Sequence, residues 1–145
     1  MSETSLRNLF ALQISRETEY ALRAVLDLSV NSCEEFVKIS SIAKRQQIPH
    51  GFLEAIVGRL RQDGLVNTRR GYDGGCRLAR TPDQITVGDI LASVVRNGHS
   101  KRVSTYPFNA IWLDVDQSIW AIIDRVNFAD LAERSREISE QSDPS

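Results

Sequence analysis

Apolar residues along this chain change their period twice. From Ser15 onward, Tyr20, Ala21, Ala24, Val25 and Leu28 recur three and four residues apart, the spacing that gives an α-helix one buried face. Ser15 offers an N-cap hydroxyl, and Glu17 and Glu19 put carboxylates at the positive end of the helix dipole. The pattern predicts a helix that fades near Asn31–Ser32. Val37-Lys38-Ile39 reads as a very short extended piece. Ser40 or Ser41 can cap a short second helix reaching Gln47, with Ile42 and Ala43 facing in. Ile48-Pro49 stops it, because the residue before proline avoids helical geometry and proline has no N–H to donate. Pro49 also suits the first position of a new helix. That third helix is expected from about His50 to Asp63, with Phe52, Leu53, Ile56, Val57 and Leu60 as its inner stripe and Gly64 as a left-handed C-terminal cap.

After Gly64 the period becomes two. Residues 65–70 and 76–79 read as strands joined by Gly71-Tyr72-Asp73-Gly74-Gly75, which makes a β-hairpin with a basic tip. Thr81-Pro82-Asp83-Gln84 is a turn, and Thr86 caps a further helix with Val87, Ile90, Leu91 and Val94 inward. The stretch from Arg96 to Tyr106 is polar and basic with no clear period. A long helix follows, with Phe108, Trp112, Val115, Ile119, Ile122 and Val126 spaced 4, 3, 4, 3 and 4. That is an a/d seam of the kind that pairs helices. Asn127-Phe128-Ala129-Asp130-Leu131 starts a last helical piece, which is expected to fray into a polar tail.

The predicted fold is mainly α with a small β-hairpin wing: a winged helix-turn-helix domain plus a long C-terminal helix. The divisions are an extension at 1–13, the winged domain at 14–95, a loop at 96–107, the long helix and final helical piece at 108–132, and a tail at 133–145. At 145 residues, 41% hydrophobic and 26% charged, the chain belongs to the globular class. No run approaches the ~18 apolar residues of a membrane helix, and the start lacks the basic and apolar segments of a secretory signal. The expected location is therefore the cytoplasm, with no membrane partner. Net charge is −1 overall, but residues 44–80 carry 8 Lys/Arg against 3 Asp/Glu while residues 81–145 carry 6 against 10. A basic middle of this kind can meet a polyanion.

A helix fits the major groove of B-DNA and a hairpin reaches the neighbouring minor groove or phosphates. The residues assigned to that surface are Ser15, Ser40, His50, Gly51, Phe52, Glu54, Arg59, Arg61, Arg69, Arg70, Gly71 and Tyr72. Arg59 and Arg61 are candidates for phosphates, Glu54 for a cytosine amino group and Arg70 for the minor groove or phosphates. Each also has a plainer reading: arginines late in a helix suit its dipole, and Glu54 can pair with a basic neighbour. There is no phosphate-cradling loop followed by Lys-Ser/Thr, no paired metal-site histidines and no nucleophile elbow, so an enzyme is not expected.

The stretches Ile14–Ala24, Ile48–Val66, Arg70–Ala79, Ile85–Ile90 and Phe128–Leu131 together resemble the IscR/CymR-type regulators of the Rrf-two family over about residues 14–132. The resemblance implies a homodimeric transcription factor in which the long helices cross and each wing domain takes half of a roughly palindromic duplex operator. Trp112, Val115, Ile119, Ile122 and Val126 are the expected dimerisation residues; a helix packed on its own domain is the alternative use of that seam. Many relatives hold an iron–sulfur cluster through three cysteines in the segment corresponding to residues 96–108, which has no cysteine here. His99 is its only soft ligand, and Asn109 stands where some relatives have a ligand histidine. No cofactor and no metal are therefore expected, and a cluster on other ligands such as Asp114 or Asp116 is a third reading. Arg96, Lys101 and Arg102 either meet an anionic effector or solubilise the loop. Cys76 stands where the family usually has tyrosine. Beside Arg77 and near Arg70 it is either a thiol switch with a lowered pKa or a small buried apolar residue. The reading is a sequence-specific DNA-binding regulator, a repressor sensing an effector protein or small ligand. The alternative is a winged-helix interaction module that no longer binds DNA.

Overall fold

The computed structural model describes residues 15–31, 35–72, 74–94 and 109–142. Helix α1 (Arg16–Asn31) begins as its sequence requires: the Thr18 N–H donates to Ser15 Oγ at 3.2 Å. Its apolar stripe of Ala21, Ala24, Val25 and Leu28 is buried, and the helix touches most of the other helices. It is the pillar of the fold. Helix α2 (Ile39–Gln46) starts two residues earlier than a Ser40 cap would set it. Lys38 holds the cap position without a side-chain bond, and its carbonyl accepts from the Ser41 and Ile42 N–H groups. The helix ends where Gln47 takes a left-handed φ of 54°, and the N–H groups of Gln47 and Ile48 both turn back to the Ala43 carbonyl. Pro49 then caps α3 (His50–Gln62).

Leu53, Ile56, Val57 and Leu60 of α3 are buried as predicted, but Phe52 is not an inner residue: it is 56% exposed. Its ring leans edge-on against Tyr20 with centroids 6.2 Å apart, because position 52 falls at the margin of the stripe. Gly64, at φ +74°, reverses the chain into β1 (Val66–Arg69), which pairs antiparallel with β2 (Gly75–Leu78); Val66 faces Leu78 and Thr68 faces Cys76. The extended piece before α2 joins this hairpin, since Val37 and Cys76 exchange both backbone hydrogen bonds at 2.8 Å.

A 3₁₀ turn (Pro82–Gln84) leads to α4 (Val87–Val94). Its start is a reciprocal capping box, with the Asp89 N–H on Thr86 Oγ1 and the Thr86 N–H on Asp89 Oδ2, both at 3.0 Å. The long helix α5 (Asn109–Ile123) stops before Val126, so Val126 does not extend the seam. The chain turns there because residues 126–128 pair with 85–87: the Val87 N–H donates to the Val126 carbonyl and the Phe128 N–H to the Ile85 carbonyl. Helix α6 (Phe128–Ser142) then packs back on α1. Phe128, which the sequence places at the start of the last helical piece, is buried in the core shared by α1, α3 and α4. The expected frayed tail is instead helical through Ser142. Glu, Arg and Ser at 133–142, with no Gly or Pro, have adequate helix propensity, and Arg136 and Glu140 stand one turn apart. Phe108, Arg96, His99, Lys101, Arg102 and Cys33 lie outside the described residues.

Candidate nucleic-acid interface

The α2–turn–α3 unit is fastened to α1 by polar groups. Arg45 forks onto Asp27, Nε to Oδ2 at 3.0 Å and Nη2 to Oδ1 at 2.8 Å, and Gln46 Nε2 adds a third bond to Oδ2 at 3.0 Å. Arg23 donates to the Gln46 carbonyl. Burial pushes the Asp27 carboxyl upward, but the bonds from Arg45 and Gln46, the Arg45 charge and the Asn31 bond outweigh it and hold the group below the usual carboxylate range. These contacts fix the end of α2, and so the angle at which α3 leaves the turn. The sequence shows the two residues 18 positions apart but nothing that pairs them.

The outward side of α3 carries His50, Gly51, Phe52, Glu54, Ala55 and Arg61, all exposed. A Cβ on Gly51 or Gly58 would meet nothing within 4 Å, so packing does not demand glycine at either place. What two glycines give this face is clearance. A groove runs between α3 and the wing, lined among others by Lys38, Ser40, His50, Glu54, Arg69, Arg70 and Tyr72. Three of those side chains are permanent cations, which makes the groove electropositive. His50 Nδ1 lies 3.1 Å from Glu54 Oε1 across one helical turn.

The wing is held at a set angle. A Cβ on Gly75 would collide with the Val37 carbonyl, and one on Gly74 with the Arg69 carbonyl, so the hairpin lies close against the strand-like piece before α2. Lys38 Nζ sits 5.0 Å from the centre of the Tyr72 ring, and the guanidinium carbons of Arg69 and Arg77 each sit 4.4 Å from that of Phe36. Such cation–π contacts stabilise the base of the wing. Arg70 and Gly71 (φ +108°) are exposed at its end, and Tyr72 is 89% exposed. Phe36 and Lys38 were missed from the sequence. The extended run 37–39 was visible, but its pairing with Cys76 is a long-range event with no local signal.

Three assignments change. Arg59 Nη1 donates to Glu17 Oε1 at 3.0 Å and to the Val94 carbonyl at 3.1 Å. It joins α3 to α1 and to the end of α4, while Arg61 stands exposed on the outer face. Ser15 spends its hydroxyl on the α1 cap, beside Thr18 Oγ1 at 3.0 Å. Cys76 is fully buried, and burial, helped by the Asp27 charge, pushes its thiol up to about 11. It is the small buried residue of the two readings: burial and the Asp27 charge both raise its thiol, and the guanidinium groups of Arg69 and Arg77 stack on Phe36.

A basic groove framed by a helix-turn-helix and a hairpin wing defines a DNA-binding transcription regulator of the winged helix-turn-helix class. The family profile of Rrf2, described as an iron-dependent transcriptional regulator, matches residues 14–134, and the chain belongs to that family. Among its relatives is the HTH-type transcriptional regulator IscR of Aliivibrio salmonicida, 30% identical over 132 residues, 83% of this chain and 77% of that protein. Among solved structures, an IscR of T. potens superposes with a TM-score of 0.76 at 33% identity, covering 88% of this chain and 91% of the other. CymR, the global cysteine regulator of B. subtilis, superposes with a TM-score of 0.73 at 29% identity, covering 85% and 98%. The protein is a regulator, not an enzyme.

The family description names iron, and the donor set among the described residues does not fit an iron–sulfur cluster. Such a cluster needs several thiolates. The chain has two cysteines, of which Cys76 is enclosed in the wing ladder. Among the described residues no group of three His, Cys, Asp or Glu side chains is placed to hold a metal ion. Nor is any described helix long and apolar enough to cross a membrane.

Proposed function

We propose that this regulator is a cytoplasmic homodimeric repressor that reads a roughly palindromic operator, α3 in the major groove and the wing beside it, without a cluster. The observation that carries the DNA half of this reading is the electropositive groove between α3 and the wing. Gly51 and Gly58 clear the path to the bases, Arg61 and Lys38 meet phosphates, Glu54 accepts from a base edge and Arg70 enters the minor groove.

The dimer half rests on α5. Ile111 and Ile122 are 55% and 56% exposed, with Val115 and Ile119 only half-buried. Inside the chain α5 meets chiefly α4. Large apolar side chains in that register are covered by a second copy in the crossing helices of a coiled-coil-like interface. The signal reaches the protein through an effector protein or a small ligand.

Titration against duplex selected from a randomised pool, at several salt concentrations, tests the first half. Sequence-preferring binding with a steep salt slope is expected, and Arg70→Glu abolishes it with the dimer intact. Equal affinity for all sequences refutes it. Sedimentation of the wild type and of Ile111→Asp/Ile122→Asp tests the second: a dimer and a monomer respectively are expected, and a monomeric wild type at micromolar concentration refutes the dimer.

A further inference from the structure

We propose that the far face of the wing is a second nucleic-acid contact, a phosphate-binding surface that holds duplex outside the stretch read by α3. The inference rests on the DNA-reading assignment of α3 made above. Side chains alternate between the two faces of a strand. Val66 and Cys76 are buried, and they share a face with their partners Leu78 and Thr68. Asn67, Arg69 and Arg77 therefore share the opposite face, with Asn67 paired to Arg77 across the ladder. The guanidinium carbons of Arg69 and Arg77 both lie 4.4 Å from the centre of the Phe36 ring. The two like charges are thus no further apart than twice that distance, within reach of one another through solvent. Lys38 joins them in the cleft over Phe36. Among the described residues that line it, these three cations stand against one carboxylate, Glu35. A further cleft runs from Arg77 past Asn67 to Arg80.

Stacking on a ring engages the face of a guanidinium. Its N–H donors lie in the plane, where a phosphate is taken by a fork of charge-assisted hydrogen bonds. The stack also fixes side-chain torsions that an arginine otherwise loses only on binding, so less ordering remains to be done when the anion arrives. The occupant follows from continuity. Lys38, Arg69, Tyr72 and Gly74 line both this cleft and the groove between α3 and the wing, so one basic surface runs from the groove onto the far face. A duplex that receives α3 in its major groove passes the wing and brings its next phosphates to that face. Phosphate contacts carry no sequence information. The surface therefore adds affinity and fixes the path of the flanking duplex, and it leaves base preference as α3 sets it.

The duplex selected by the full-length wild type is prepared at one length in two forms. One has native phosphates throughout, the other uncharged methylphosphonates in the flanks outside the selected bases. Both are titrated at several salt concentrations with wild type, Arg77→Gln, Arg80→Gln and, on α6, Arg134→Gln. Wild type is expected to bind the native form roughly tenfold more tightly, with a salt slope steeper by about one per protomer. Arg77→Gln binds the two forms alike and Arg80→Gln shows a reduced difference. Arg80 is exposed, so its variant reads the surface without disturbing the packing on Phe36. Arg134→Gln, which removes an exposed charge of α6, behaves as wild type. A wild type that binds both forms alike overturns this proposal and leaves DNA reading by α3 standing. So does a full difference kept by both Arg77→Gln and Arg80→Gln, or one lost equally by Arg134→Gln. A wild type with no sequence preference overturns the reading by α3 itself.

Discussion

Replacing Arg45 by alanine tests the fastening of the helix-turn-helix unit. The Asp27 side chain is fully buried while that of Arg45 is 42% exposed. Arg45→Ala leaves a buried carboxylate held only by amides. Removing one partner of a buried pair costs about 3–5 kcal/mol, and screening at the exposed guanidinium lowers the expectation here to about 2–3 kcal/mol. For a chain of this length that is a fall in Tm of roughly 5–10 °C. The pH dependence has a definite sign. In the wild type the Asp27 carboxyl is held below its ordinary value, so its contribution is present above the unfolded-state value and is lost as pH falls through the folded-state value. In Arg45→Ala burial has lost its main opponent and the carboxyl is pushed up. The deficit is then largest near neutrality and shrinks as the medium is acidified. Urea unfolding of the wild type, Arg45→Ala, Asp27→Asn and the double variant, near pH 7 and again near pH 5, measures this. A coupling energy of about 1.5 kcal/mol or more at neutral pH is expected. A loss below about 0.5 kcal/mol, or the same loss from Arg45→Ala in the Asp27→Asn background, refutes the reasoning.

Arg59→Ala should lower stability by about 1–2 kcal/mol by breaking its two hydrogen bonds, with the salt slope of operator binding unchanged; a slope reduced by about one per protomer would restore Arg59 to the phosphates. Gly75→Ala drives a Cβ into the Val37 carbonyl and should cost about 2 kcal/mol or more together with operator affinity; wild-type stability would show that the wing base is loose. Cys76, with its thiol pushed up to about 11, should resist alkylation in the native protein near pH 8 and react on unfolding; rapid native labelling would reopen the thiol switch.

The elements were legible because each carries its own local signal. Ser15, Pro49, Gly64 and Thr86 mark ends where backbone groups need caps or a special φ, and α1, α3 and the hairpin keep one period throughout. What was not legible depends on distance along the chain. Phe52 looks like part of the α3 stripe until Tyr20 is placed beside it, and Arg59 looks like a phosphate ligand until Glu17 and the Val94 carbonyl are found next to it. Cys76 beside arginines invites a reactive reading, which the pairing with Val37 removes. Val126 fits a heptad, but 126–128 instead complete a pairing with 85–87 that periodicity does not register. Arg70, Gly71 and Glu54, which line the groove, were legible as exposed positions of the hairpin tip and of α3. The posture of the groove, set by Phe36, Lys38, Asp27 and Arg45, was not.

The return of the chain at Phe128 has a consequence for how this molecule is made. The interior around α1, α3 and α4 is finished by a side chain that follows α4 in sequence only after the whole of α5. A chain ending at Val94 holds the helix-turn-helix and the wing but lacks Phe128, the largest of the fully buried side chains among the described residues. Fragments cut at that point, the natural choice for isolating the DNA-reading half, lack the plug and will aggregate or melt. The arm formed by α5 is thus spliced into the reading head and not appended to it, and a movement imposed on its C-terminal end acts directly on the backbone that starts α4.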